Sequence, residues 1–147
     1  MNEIFFKQLE NGKGLYHIKK ATDGSAGFDL LSASNNKVNI KPSESALIPC
    51  GFSLQMPNNI EAQVRPRSGI ALKNCVTVLN SPGTIDADYR GEIAVILINH
   101  GKEDFTIVRG MRIAQLVFQK LPSIELIQAE NLTETDRGKG GFGSTGV

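Results

Sequence analysis

Short apolar segments alternate with turn signals along much of the chain. Residues 38–40 and 46–56 are largely apolar, whereas Lys-Pro-Ser at 41–43 and Pro-Asn-Asn at 57–59 favour turns. Short apolar runs bounded by such turns are typical of strands, and long runs with a helical period of about 3.6 residues are missing from this pattern. The sequence therefore predicts a mostly β chain.

The apolar positions within three segments predict how each strand is covered. In residues 60–65 small or apolar side chains occupy every second position, which predicts a half-buried strand with one polar face. Residues 93–98 and 113–118 are instead largely apolar on both faces. We expect these two strands to be covered on both sides, by a second sheet or by a neighbouring subunit.

Helical signal is confined to residues 68–74, where we predict one short helix with Ser68 as its N-cap and Asn74 near its end. After residue 132 the composition changes to a stretch rich in glycine and polar residues. Such a stretch contributes little to a hydrophobic core. We therefore expect a β domain over residues 1–132 and a flexible glycine-rich tail over residues 133–147.

Length and charge limit the classes of function. A chain of 147 residues is the size of one domain and can bury a core without disulfide bonds or a structural metal. With 16 Lys plus Arg against 15 Asp plus Glu, its net charge of +1 gives no general attraction for nucleic acid or an acidic membrane. We expect neither partner, and we expect local groups to hold any anionic ligand.

The cysteines, the histidines and the N-terminus argue against several other classes. Cys50 and Cys75 belong to no C-x-x-C pair, so we expect both to be reduced core residues. His17 and His100 have no carboxylate or cysteine at metal-ligand spacing, and we expect both at the surface or in loops. Because the sequence lacks a signal-peptide pattern and any apolar run as long as a membrane span, we expect a soluble, cytoplasmic protein.

The glycine-rich tail is a candidate site for a polyphosphate. Its backbone N–H groups are free to turn inward, and its side chains include cations, hydroxyls and one aromatic ring. These side chains are Arg137, Lys139, Phe142, Ser144 and Thr145. Because no Lys precedes Ser144 and no apolar strand leads into the segment, it is not a Walker loop. Taken alone, the segment is also explained by a solvated, disordered tail.

Charged residues in three further segments are candidates for chemistry. Asp29, Asp86 and Asp88 have the carboxylates that orient an attacking water or hold the water ligands of magnesium, although aspartate is also common in turns. Arg67 and Ser68 lie at the start of the predicted helix, where free N–H groups favour a phosphate. The alternative there is an exposed turn. Each of these segments is a weak signal by itself.

Taken together and in order, five segments resemble the five motifs of the homotrimeric dUTP pyrophosphatase family, the dUTPases. The resemblance extends over nearly the whole chain, and the ordered set is far more specific than any one motif. The segments are AGFDL at 26–30, PRSGIA at 66–71, Asn80 with GTIDADYRG at 83–91, RIAQL at 112–116 and RGKGGFGSTG at 137–146.

This resemblance implies a fold, an assembly and a reaction. The fold would be an all-β, jelly-roll-like barrel or sandwich, and three copies would form a homotrimer with active sites at the subunit boundaries. The reaction would be Mg2+-dependent hydrolysis of dUTP to dUMP and pyrophosphate, in which an activated water attacks the α-phosphorus in line with the leaving group. Such an activity would limit uracil in DNA and supply dUMP for dTMP synthesis.

The resemblance also implies roles for residues of the first four motifs. Asp86 would be the general base, and Asp29 would hold Mg2+ through a water. Asn80 would lie in the hairpin that reads uracil, and the Tyr89 ring would pack under the deoxyribose and exclude a 2′-hydroxyl. The residues implied to contact the phosphates or to shape that part of the substrate site are Arg67, Ser68, Gly69 and Gln115.

For the fifth motif, the resemblance implies a tail that closes over a neighbouring subunit's active site. Phe142 would lie over the uracil ring. Arg137, Ser144 and Thr145 would bind the β- and γ-phosphates, and Gly143 would belong to the same substrate-binding set. Closure would exclude water from the reacting phosphates.

Two other functions fit the same architecture. A dCTP deaminase would need a glutamate to transfer protons at the base, and no sequence context here suggests that glutamate. A non-catalytic nucleotide-sensing or protein-binding module would not need Asp86, Asp29 and Gln115, all of which are present.

Asp88 is assigned a structural role, bracing its turn against Arg90 or a neighbouring subunit.

Overall fold

The computed structural model of the protein describes residues 3–17 and 20–141. Strands dominate these ranges, so the all-β prediction with one short α-helix is confirmed. The elements in chain order are β1 (Phe5–Gln8), a 3-10 helix (Glu10–Gly12), β2 (Phe28–Leu31), β3 (Val38–Ile40), β4 (Ser45–Pro49), β5 (Phe52–Gln55), β6 (Ile60–Arg65), α1 (Ser68–Asn74), β7 (Val76–Val78), β8 (Gly83–Ile85), β9 (Ala94–Asn99), β10 (Phe105–Ile107) and β11 (Arg112–Lys120).

The strands form antiparallel sheets whose neighbours are often distant in sequence. The largest sheet has the order β2-β11-β6-β8, and a second has the order β4-β9-β7. Two further pairs, β1 with β5 and β3 with β10, complete the described sheets. Buried side chains from the sheets, including Leu30, Ile48, Val64 and Val95, belong to one hydrophobic cluster. This arrangement around one core agrees with the predicted jelly-roll-like architecture.

The predicted strand patterns have different outcomes. β6 alternates buried and half-buried residues over 60–65, as predicted. In β11, Leu116 and Val117 point to opposite faces and are both buried, so that strand is covered on both sides. β9 is fully covered on one face only, because its Ala94, Ile96 and Ile98 positions stay half-buried. Its second apolar face is left partly open to solvent in a single chain.

The short helix has the predicted bounds but not the predicted cap. Arg67 occupies the N-cap position with an extended backbone, and no side chain in the described part of the protein donates or accepts a capping hydrogen bond there. The reason is that the Arg67 carbonyl accepts the first helical hydrogen bond, from the Ala71 N–H, which places Ser68 inside the helix. At the other end Cys75 adopts a left-handed conformation with φ 55° and donates its N–H to the Ala71 carbonyl.

The prediction that both cysteines lie in the core is half right. Cys50 is a free, fully buried thiol, whereas Cys75 is free but exposed. Cys75 is exposed because it occupies the C-cap turn after α1 rather than a strand position facing the core. His17 and His100 are both exposed, which confirms their predicted surface location.

The final strand of the described ranges, β11, ends at Lys120, and residues 121–139 are exposed. This segment carries several large apolar side chains in contact with solvent, namely Ile124, Leu126, Ile127 and Leu132. The domain boundary at residue 132 and the flexibility of the tail stay predictions.

Of the helices in the described ranges, none has both the length and the apolar character needed to cross a membrane.

Candidate active site

Strands β2 and β11 bring two of the predicted site residues side by side. Asp29 on β2 is directly opposite Gln115 on β11. A Cβ at Gly27 would lie 3.0 Å from the Gln115 side-chain oxygen, so the glycine before β2 leaves room for the glutamine. Gln115 in turn donates from Nε2 to the Pro66 carbonyl at 3.0 Å. These contacts join the β2–β11 edge to the segment that precedes α1.

Two arginines face the Asp29 carboxylate. Arg67 Nε lies 3.1 Å from Oδ1, and Arg112 Nη1 lies 3.6 Å from Oδ2. Arg67 also donates from Nη1 to the Arg112 carbonyl at 3.4 Å. We refer to Asp29, Arg67, Arg112 and Gln115 as the Asp29 cluster. Its partly exposed cations and amide lie beside the exposed Ser68 at the start of α1, an arrangement suited to an anionic group.

The donor set determines what kind of metal site this cluster allows. No group of three or more His, Cys, Asp and Glu side chains in the described ranges is placed to hold a metal ion. Asp29 is about one-third exposed, and its oxygens have lone pairs left beyond the two arginine contacts. A single carboxylate of this kind fits a divalent cation that keeps its waters and takes most ligands from a substrate.

A second group of predicted site residues lines a pocket of about 620 Å³, which we call the Tyr89 pocket. Asn80, Asp86 and Tyr89 contribute its polar groups, and β8 forms one wall. A Cβ at Gly83 would lie 3.2 Å from Val64 and 3.3 Å from the Asn80 amide nitrogen, so glycine is what lets β8 lie against both. The remaining wall is apolar and includes Leu47, Pro49, Ile93, Ala94 and Ile96.

The turn after β8 places Asp86 and Tyr89 at this pocket. The Tyr89 N–H donates to the Asp86 carbonyl at 3.2 Å, and the Asp86 carboxylate is exposed. Arg90 Nη1 donates to the carbonyls of Ala87 at 2.6 Å and Tyr89 at 3.1 Å. The predicted brace between Asp88 and Arg90 is therefore wrong within one chain, because the guanidinium bonds to carbonyls of the turn instead of to a carboxylate.

The Asp29 cluster and the Tyr89 pocket are separate in a single chain. None of the cluster residues, nor Ser68 or Gly69, lines the Tyr89 pocket. In the tail, Arg137 is exposed and donates from Nε to the Gly140 carbonyl at 2.9 Å, a hydrogen bond within the tail itself. The predicted site residues Phe142, Gly143, Ser144 and Thr145 lie outside the described residues.

Two residues beside these sites were not predicted to act there. Arg112 belongs to the fourth motif and contacts Asp29 because it starts β11 next to β2. The sequence feature that could have pointed to Arg112 was its position immediately before the apolar strand predicted at 113–118. Glu92 lines the Tyr89 pocket and accepts the Tyr89 hydroxyl on its carbonyl at 3.1 Å. No pattern in the sequence identified Glu92.

Comparison with known proteins gives matches over nearly the whole chain. The dUTPase family model matches residues 15–146. The deoxyuridine 5′-triphosphate nucleotidohydrolase of Rickettsia felis is 54% identical over 147 residues, covering 100% of this chain and 99% of the relative. The Rickettsia bellii (strain OSU 85-389) protein of the same name is 55% identical, with 100% and 97% covered. The dUTPase of Staphylococcus bacteriophage 80alpha, solved with dUPNHPP, has a TM-score of 0.88 at 26% identity and 100% coverage of both chains.

Proposed function

The chain belongs to the dUTPase family and is a dUTP diphosphatase, and from this premise we propose that Asp86 activates the water that attacks the α-phosphorus of dUTP. The observation that carries the proposal is the common pocket of Asp86, Asn80 and Tyr89. It puts an exposed carboxylate next to groups suited to a pyrimidine and a sugar. The products, dUMP and pyrophosphate, connect the activity to the exclusion of uracil from DNA and to the supply of dUMP.

The edge of β8 supports a role in reading uracil. Among the described strands, β8 lies at the edge of its sheet and pairs only with β6. The free edge of such a strand offers backbone N–H and C=O groups to a flat polar ring, much as it would to another strand. Asn80 lies beside it with an amide that can donate and accept. A pocket built this way rejects cytosine, because mismatched donors and acceptors would be buried without partners.

Tyr89 supports the discrimination against ribonucleotides. Its ring lines the pocket about half exposed, at 47%, so one face is open to a ligand. A ring packed under the sugar would occupy the space that a 2′-hydroxyl needs. We assign Tyr89 this steric role.

The Asp29 cluster suits the phosphate chain. Arg67 supplies a guanidinium, Gln115 an amide and Ser68 a hydroxyl, and beside them Gly69 has nothing within 4 Å of the place where a Cβ would be. Such groups act by positioning and by offsetting charge in the transition state. Bound Mg2+ would neutralise negative charge on the phosphates, and Asp29 is the residue suited to hold one of its waters.

The reaction step follows from the Asp86 carboxylate. The oxygen of a water forms a bond to the α-phosphorus, while the bond from that phosphorus to the bridging oxygen of the β-phosphate breaks. The water proton passes to Asp86, and pyrophosphate leaves with the electron pair of the broken bond. Hydrolysis in heavy-oxygen water tests the position of attack. Label in dUMP supports it, and label in pyrophosphate alone contradicts it.

Two observations support active sites at subunit boundaries in a homotrimer. In one chain the Asp29 cluster lies outside the lining of the Tyr89 pocket, which suits a site completed by groups from a neighbouring chain. The outer face of β9 is apolar and half-buried, and it adjoins the exposed Leu47 and Leu79. A second copy would cover such a face. Sedimentation equilibrium tests the trimer against the chain mass of 15.9 kDa.

The tail is assigned to closure over a neighbouring subunit's site. Its described residues up to 139 are exposed, which suits a segment that reaches another subunit. Arg137 brings positive charge, and Ser144 and Thr145 bring hydroxyls for the β- and γ-phosphates, with Gly143 beside them. Phe142 brings the aromatic ring that suits the exposed face of uracil.

A further inference from the structure

The Tyr89 ring packs directly against Gly91. A Cβ at Gly91 would overlap the Tyr89 hydroxyl and would lie 2.5 Å from Cζ. The ring therefore occupies the space that a side chain at position 91 would take. Any residue other than glycine there must displace the ring or move the turn.

The same ring is tied to Glu92 by its hydroxyl. Tyr89 donates this hydroxyl to the Glu92 carbonyl at 3.1 Å. The Glu92 carboxylate accepts two hydrogen bonds on Oε1, from Asn11 Nδ2 at 2.7 Å and from the Gly51 N–H at 2.8 Å. Glu92 thus links the pocket to two segments that are remote in sequence.

Those two segments are themselves held in place. The Leu9 N–H donates to the Gly51 carbonyl at 2.9 Å, just before the 3-10 helix that contains Asn11. Arg109 Nη1 donates to the Asn11 carbonyl at 2.6 Å and to the Ala33 carbonyl at 3.1 Å. Because Asn11 and Gly51 are fixed to the β domain in this way, they provide a rigid anchor for the Glu92 carboxylate.

We propose that Glu92, anchored by Asn11 and Gly51, and Gly91 are positioning residues that hold the Tyr89 ring and thereby set the discrimination of dUTP from UTP. The inference rests on the proposed function, in which the ring packs under the deoxyribose. Exclusion of one oxygen atom depends on the ring staying within about 1 Å of its position, since misplacements of that size change rates substantially. A loosened ring makes room for the 2′-hydroxyl.

The fold does not depend on the Glu92 side chain alone. The next residue, Ile93, donates its N–H to the Phe52 carbonyl at 2.8 Å and accepts the Cys50 N–H at 2.9 Å. These backbone hydrogen bonds stay in place when the carboxylate is removed. Glu92→Ala is therefore expected to fold, with its main effect on the turn that contains Tyr89.

The experiment compares steady-state kcat and KM for dUTP and UTP in the unaltered protein and in five variants. Glu92→Ala and Asn11→Ala each remove one side of the anchor, and we expect the ratio of kcat/KM for dUTP to that for UTP to fall about tenfold. Glu92→Gln keeps the oxygen that accepts from Asn11 and Gly51, so it should retain most of the ratio. Gly91→Ala should lower the ratio at least as much as Glu92→Ala. The control is Glu44→Gln, which alters an exposed carboxylate away from the pocket and should leave the ratio unchanged.

The outcomes separate the inference from the function on which it rests. A fallen ratio in Glu92→Ala and Asn11→Ala, with rescue in Glu92→Gln, supports the positioning role. Equal losses for both nucleotides, or an unchanged ratio, in the two anchor variants would overturn it while leaving dUTP hydrolysis intact. If the unaltered protein does not hydrolyse dUTP, the proposed function fails and this inference fails with it.

Discussion

Asp29 and Arg67 form an ion pair in which Nε lies 3.1 Å from Oδ1, and it connects β2 to the N-cap of α1. Each side chain is about one-third exposed, at 31% and 29%, so water screens the pair only in part. Two of the five motifs thereby meet through side chains that local sequence patterns do not relate. The pair fixes a carboxylate and a guanidinium at the place assigned to the phosphates.

The role of Arg67 is tested by changing its charge and its shape separately. Arg67→Ala removes the cation and should lower kcat/KM for dUTP about a hundredfold, while Arg67→Lys keeps the charge but loses the planar fork and should lower it about tenfold. Lys37→Ala, at an exposed position outside both sites, is the control. Full activity in Arg67→Ala would remove Arg67 from the phosphate site.

The role of Asp86 is tested by replacing its carboxylate with an amide. Asp86→Asn cannot accept the water proton, so kcat should fall by about a hundredfold or more while the Kd for dUTP changes little. The matched control is Asp88→Asn in the same turn, which should keep turnover near that of the unaltered protein. Rapid-quench measurement of dUMP formation and equilibrium binding of dUTP separate the two effects. Near-normal turnover in Asp86→Asn would contradict the assignment.

Truncation tests whether the tail serves catalysis or assembly. A chain ending at residue 136 keeps all the strands found in the described residues, of which β11 ends at Lys120. It should keep the mass of the trimer in sedimentation equilibrium and lose about a hundredfold in kcat/KM for dUTP, because the closing segment is gone. Dissociation into single chains would instead show that the tail is structural.

Alkaline pH should destabilise the protein through a buried thiol. Burial raises the pKa of Cys50 to about 12, with a smaller contribution from the charge of Glu92. Above about pH 9 the unfolded chain releases this proton while the folded chain keeps it, so the stability contribution is lost between about pH 9 and about pH 12. Burial raises the pKa of Tyr16 as well, which adds to the loss at the upper end of this range.

Urea unfolding measures this effect. Between about pH 8 and about pH 10, the free energy of unfolding should fall by about 1 kcal/mol more in the unaltered protein than in Cys50→Ala, which has no thiol to titrate. Cys75→Ala removes the exposed thiol and is the control, with the same pH dependence as the unaltered protein. Equal pH dependence in Cys50→Ala and the unaltered protein would rule out the buried thiol as the cause.

Local sequence patterns were sufficient to predict the bounds of two elements, one strand with alternating side chains and one short helix. The half-buried strand at 60–65 and the helix at 68–74 have the predicted bounds, since alternation and a short run of helix-forming residues are local properties. The predicted Ser68 cap was wrong because the Arg67 carbonyl accepts the first helical hydrogen bond, and the Arg67 side chain pairs with Asp29 on a distant strand. That contact is tertiary and leaves no local signal.

The candidate site shows the same limit. The ordered motifs identified Asn80, Asp86 and Tyr89, and these three share one pocket. The position of this pocket relative to Asp29 could not be read from the motifs, because it depends on the strand order of the four-stranded sheet, in which β2 and β8 lie at opposite edges. The hydrogen bonds of Glu92 to Asn11 and Gly51 bring together segments far apart in sequence, and no pattern at residue 92 reports them.

Hydrolysis of a panel of nucleotides tests whether the protein is a diphosphatase specific for dUTP. The purified protein is incubated with dUTP, UTP, dTTP or dCTP, with Mg2+ or with EDTA, and pyrophosphate, nucleotide monophosphates and ammonia are quantified. We expect dUMP and pyrophosphate from dUTP alone, strongly reduced by EDTA, and no ammonia from dCTP. Ammonia from dCTP would support a deaminase instead, and the absence of pyrophosphate from dUTP would contradict the catalytic account.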